Sequence, residues 1–115
     1  MKTEDGYTIA KRGSSYYMHQ FLVDAYVVQG EAEAGMYDME ELGSFRTKRE
    51  ALVEMRKAVA YSKINGNKYH HITIWENWVE AEPNKYGYWG TYSVVQQMIY
   101  DYDTNGKLIG KAIGC

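Results

Sequence analysis

From Met18 to Val28 the chain alternates: His19, Phe21, Val23, Ala25 and Val27 fall on one side, and Gln20, Leu22, Asp24 and Tyr26 on the other. A period of two predicts a long half-buried strand. Tyr7–Lys11 can pair with it as a hairpin through Gly13-Ser14-Ser15. The period then changes. Between Lys48 and Ile64, Ala51, Leu52, Met55, Ala58, Val59 and Ser62 share one arc of a 3.6-residue wheel. Thr47 with Glu50 three residues on is a capping box, and Asn65-Gly66 supplies a left-handed stop. A helix over 48–64 is therefore expected.

After the helix, the pattern returns to strands at about Tyr69–Glu80 and Thr91–Tyr102, with a loop around Pro83. Asn105-Gly106, read as a hairpin turn with positive φ at both residues, leads into Lys107–Ile113. Gly30–Gly43 lies between strand and helix, is acidic, and is expected to be a long surface loop. The sum is one α+β domain over residues 1–115. It has a mainly antiparallel sheet with one amphipathic helix on one face, in the order β-β-α-β-β-β.

Composition narrows the function classes. The 115 residues include 12 Tyr and 3 Trp but only 2 Phe, so most rings carry a polar handle suited to half-buried or contact surfaces. The single cysteine, Cys115, rules out an internal disulfide, and no stretch has the length of a membrane span. A polar start without a signal-peptide pattern points to a cytoplasmic protein. Net charge is −2, but residues 1–45 carry −5, residues 46–68 carry +5 and residues 69–115 carry −2. Such a balance suits neither a whole-protein nucleic-acid mimic nor a whole-protein nucleic-acid binder.

Candidate chemistry is sparse. Asp101-Tyr-Asp103-Thr-Asn105-Gly106 has the opening of a calcium loop, yet Ala112 stands where the closing bidentate Glu belongs, so a polar turn is expected. His70 and His71, adjacent in a strand, are expected to point to opposite faces and not to share an ion. Glu76 and Glu80 share a face but lie about 13 Å apart by strand rise, too far to flank a glycosidic bond. No catalytic residue, metal site or cofactor is assigned. An enzyme reading would draw first on His19, His71 and Glu76, in a pocket that perturbs at least one of them.

Two stretches suggest binding instead. Arg49, Arg56 and Lys63 recur every seven residues beside a second apolar ridge of Val53, Ala60 and Ile64. Tyr86, Tyr88 and Trp89 crowd a glycine-flanked hairpin tip, with Trp75 on the strand before it, and these rings are expected to form one contact surface with Arg49, Arg56 and Lys63. Phe45-Arg46-Thr47-Lys48-Arg49-Glu50-Ala51 also resembles the start of the helix in the small arm-type DNA-binding domains of phage integrases. That likeness covers seven residues. The strands after the helix and the acidic balance depart from it, and no functional residue is carried over.

The expected function is a small non-catalytic binding protein, of the kind phage and mobile elements use as inhibitors, that occupies a host protein or small ligand, as a monomer or a homodimer. The alternative is a nucleotide- or nucleic-acid-binding module using the basic helix and the aromatic loop.

Overall fold

The computed structural model describes residues 1–28 and 37–114, excepting the side chains of Val28 and Tyr37. The described elements are β1 (Thr8–Arg12), β2 (Ser15–Val28), β3 (Tyr37–Phe45), α1 (Lys48–Ile64), β4 (Tyr69–Pro83), β5 (Trp89–Tyr102) and β6 (Leu108–Gly114). All strand pairings are antiparallel, in the order β1-β2-β4-β5-β6, with β3 also on β2. The α+β reading holds. The expected order gains a strand: residues 37–43, read as loop, pair with Val23–Val28 as part of β3. The acidic run Asp38, Glu40, Glu41 conceals it, because an edge strand tolerates charge on both sides.

β1 pairs with residues 15–19 of β2 and β3 with residues 21–28, so the two lie end to end along one edge. β4 occupies the other side of β2 over almost its whole length. α1 connects β3 to β4 across β2. It starts as expected, with Thr47 Oγ1 accepting the Glu50 N–H at 3.1 Å. The Glu50 carboxylate does not reach back to the backbone; it accepts the Thr47 hydroxyl at 3.3 Å and pairs with Arg46 at 3.5 Å. Gly66, at φ +74°, ends the helix.

The core lies between α1 and one end of the sheet. Ala51, Met55, Ala58 and Val59 pack on Phe21, Val23, Ala25, Ile72, Ile74, Tyr100 and Tyr102. Seventeen helical residues span about 25 Å, whereas the molecule is 51 Å long. The helix therefore covers one half of the sheet. Beyond it run residues 15–20 of β2, 77–83 of β4 and 89–96 of β5 as a ribbon, hereafter the far half. There a smaller cluster of Ile9, Val79 and Ala81 is buried on the face turned away from the helix.

Three turns repeat one design. In Thr3–Tyr7, Asn84–Tyr88 and Asp103–Lys107, the first residue's N–H bonds the fifth residue's carbonyl, and the fourth residue is a glycine with positive φ. The first side chain accepts the fifth residue's N–H. The Asn105-Gly106 hairpin is thus a five-residue polar turn in which only Gly106 has positive φ (+79°), and Asp103 Oδ1 accepts the backbone N–H groups of Asn105 and Lys107.

Candidate functional site

The edge of the helix cover falls at a cluster on the helix side of β2 and β4. His19 and Trp78 are cross-strand partners, and their rings stack at 3.8 Å, 6° from parallel. His19 Nε2 meets Glu76 Oε2 at 2.7 Å, and Tyr100 donates its hydroxyl to Glu76 Oε1 at 2.9 Å. Burial and this carboxylate push Tyr100 up to about 12. The sequence places His19 57 positions from Glu76, so only the β2–β4 pairing unites these two candidates of the enzyme reading.

Next to this cluster, Trp78 floors a hollow of about 140 Å³ lined also by Arg12, Tyr17, Val95 and Gln96. A bulge makes it: Trp78 pairs with Gln96 and Val79 with Val94, leaving Val95 as the extra residue on β5. Bulges re-aim side chains in this way. The Arg12 guanidinium stands 5.6 Å from the Trp78 ring centre.

The far half ends in aromatic residues. Tyr86 and Tyr88 are 73% and 57% exposed at the β4–β5 turn, and Trp89 meets Tyr16 edge to face at 5.1 Å. Tyr92, also exposed, reaches towards Glu82. Trp75 does not join them. It pairs with Leu22 and Ile99, eight β4 positions from the Pro83 that faces Trp89, or about 26 Å by strand rise. It is partly buried on the face away from the helix, beside Asp24. Its indole N–H is buried without a well-aligned acceptor and acts on the Asp24 carboxyl only as a loose donor.

The basic stripe is exposed, as expected, and the structure enlarges it. Lys48 Nζ lies 4.2 Å and Lys111 Nζ 5.5 Å from the Tyr100 ring centre, so the start of α1 and β6 converge. Arg56 acts on Tyr102, and Lys63 with Lys107 on Asp103. Among the described residues no carboxylate pairs with Arg49, Arg56 or Lys63. The stripe and the aromatic tip therefore occupy opposite halves of the molecule.

The histidine expectation is corrected by another bulge. Tyr26 pairs with His71 and Val27 with Tyr69, leaving His70 between them, and the two Nδ1 atoms come within 2.8 Å. The same bulge turns Tyr69 to the helix side, away from Trp75, where it donates to Glu40 at 2.7 Å and is pushed up to about 12 by burial and that carboxylate. His71, stacked on Tyr26, is held below its usual value by burial and His70. Both histidines border an open hollow of about 410 Å³ with Asp101, Asp103, Thr104 and Ile109. The enzyme reading asked for such a perturbed group, but Asp101 accepts from Thr73 and Asp103 holds its turn. Among the described residues no group of three or more His, Cys, Asp or Glu is placed to hold a metal, and no helix is long and apolar enough to cross a membrane. Compared with known proteins, the chain matches no family model, no curated protein and no solved structure.

Proposed function

We propose that this chain is a non-catalytic binding protein that holds a protein partner on the far half of its sheet. The observation that supports the reading is the mismatch between a helix of about 25 Å and a sheet twice as long. It leaves Tyr17 and Trp78, each partly buried, on a face with no covering element among the described residues, on the same half of the sheet as the exposed Tyr86, Tyr88 and Tyr92. Clustered exposed aromatics anchor interfaces because large rigid rings bury area at low entropy cost. A reducing cytoplasm suits a chain with one cysteine. Action as an inhibitor of a host protein fits the same surface.

The test replaces Tyr88, Tyr92 or, on the helix, Val53 by benzoylphenylalanine and irradiates each variant in lysate of the source cell. The reading expects one protein adduct from positions 88 and 92 and none from 53. With that partner purified, Tyr88→Ser should weaken binding roughly 30-fold, the effect of losing an anchor worth about 2 kcal/mol. An adduct from position 53 alone overturns the reading.

A second reading, an anionic partner such as nucleic acid on the helix flank, is favoured by the convergence of Lys48, Arg49, Arg56, Lys63 and Lys111. Its signature is a log–log salt slope of about −3.5 to −4.5 if all five contact phosphates.

A further inference from the structure

The hollow beside Trp78 has features that the partner reading alone does not require. Its volume, about 140 Å³, matches one six-membered ring, since an engineered cavity of about 150 Å³ takes benzene. Its floor is fixed before anything binds. Trp78 is backed by His19, His19 is held by Glu76, and Glu76 is held by Tyr100. A ring arriving there finds its stacking surface already ordered, which lowers the cost of association.

The rim adds direction. Arg12 is exposed, stands over the same ring, and among the described residues forms no ion pair. The charges around it are balanced, with Lys11 and Lys85 against Glu80 and Glu82. Glu80 pairs with Tyr17 and so follows Trp78 on the same face. A polyanion therefore finds no net positive surface there, whereas one carboxylate finds the guanidinium of Arg12, which no described carboxylate pairs. Access comes from the side: among the described strands, β6 pairs with β5 from Gln97 to Tyr102 and none pairs with residues 90–96 on that side. An extended segment can approach there.

We infer that the hollow receives an aromatic side chain of a protein partner, its ring on Trp78 and the carboxylate of an adjoining acidic residue on Arg12. The inference rests on the far half being the partner surface, and it specifies the chemistry recognised there.

Three probes test it in amide NMR spectra of the full chain: 3-phenylpropionate, 3-phenylpropionamide, and the acetylated, amidated tetrapeptide Gly-Phe-Asp-Gly. The acid should shift the Trp78 indole and the Val95 and Gln96 amides with a millimolar midpoint. The neutral amide should bind about 5-fold more weakly and the tetrapeptide about 10-fold more tightly than the acid. Arg12→Gln, at an exposed site, should abolish the preference for acid over amide and keep ring binding. Trp78→Leu should lose both, with unchanged shifts in α1 reporting an intact core. No shift at these residues up to about 20 mM, or equal binding of acid and amide to the unaltered chain, overturns the inference. A tetrapeptide no tighter than the free acid also overturns it, by making the occupant a small acid. Failure here with adducts still formed from positions 88 and 92 rejects the hollow alone. Probe binding without those adducts rejects the partner reading.

Discussion

His19 and Trp78 stack almost parallel, 3.8 Å apart, at the line where the helix stops covering the sheet. On the helix side of that line the carboxylate of Glu76 ties His19 to Tyr100, whose ring lies in the main core. The far half is thereby joined to the core by side chains as well as by strands. A surface that must present a fixed indole gains from such support, because the ring's orientation is set by partners that cannot move independently.

Alkaline stability should report this network. Tyr100 and Tyr69 are both buried and both donate to a carboxylate, and each is pushed up to about 12. A raised folded-state value means the stabilisation is complete below the unfolded value near 10 and is lost as pH rises from there through about 12. Thermal unfolding should therefore be flat from pH 8 to 9.5 and fall steeply above 10. Tyr100→Phe with Tyr69→Phe should be less stable at pH 8, yet should show a much shallower alkaline decline. An equally steep decline in that double variant would assign the transition to other groups.

Asp24 is 8% exposed, and burial raises its carboxyl above the usual value, with Glu41 adding to the shift and Trp75 opposing it. Its stabilisation is present below about 3.8 and is lost as pH rises through the folded value. At pH 7 the molecule thus carries a partly desolvated charge. Asp24→Asn keeps an acceptor for the Trp75 indole and removes that charge, so it should raise the thermal midpoint at pH 7. The gain should vanish near pH 3. A loss of stability at pH 7 would mean that the carboxylate has partners that outweigh its burial.

How far the sequence carries the fold depends on whether a signal is local. The helix from Lys48 to Ile64 was readable because its cap, its apolar arc and its stop are all contained in one segment. β2 was readable from its alternation. Of the three five-residue turns, Asn105-Gly106 was read as a tighter turn, Asn84–Tyr88 only as a loop around Pro83, and Thr3–Tyr7 not at all, although each has Thr, Asn or Asp with Gly three positions on. The bulges at His70 and Val95 were not readable, because a bulge is a mismatch between two strands and neither strand contains it. Those two residues decide which way Tyr69, His70 and the wall of the Trp78 hollow face. The candidate site suffered accordingly. The exposed candidates Arg49, Arg56, Lys63, Tyr86 and Tyr88 could be named one by one but not placed on opposite halves, and Arg12, Tyr17, His19 and Trp78 come together only through long-range pairing.

The Val95 bulge has a second consequence. From Trp89 to Tyr100, β5 carries no charged side chain, and the exposed part of its edge includes Tyr92, Val94 and Val95. An uncharged, β-prone free edge invites pairing with another chain. Here the register shifts at Trp78/Val79 and Val79/Ala81 break its regularity. Deleting Val95 removes one shift, so the deletion variant should form concentration-dependent oligomers by size-exclusion chromatography with light scattering. It should also lose 3-phenylpropionate binding, since Val95 lines the hollow. A variant that stays in the same state as the parent chain at all concentrations would show that the bulge does not guard this edge.

The helix stripe yields the sharpest separation of structure from binding. Arg49, Arg56 and Lys63 are exposed, and no described carboxylate pairs with them, so they contribute little to the folded state. Neither position has an acidic residue three or four places away on the helix, so Arg49→Glu with Arg56→Glu adds little repulsion. The thermal midpoint should shift by about 3 °C or less. If the partner docks on the far half, its affinity should stay within about 2-fold, because the substituted residues lie on the other half of the molecule. If an anionic partner docks on the helix flank, affinity at low salt should fall by about 100-fold or more and the salt slope should drop by about two. One double variant, measured at two salt concentrations, therefore decides between the two halves of this molecule as its working surface.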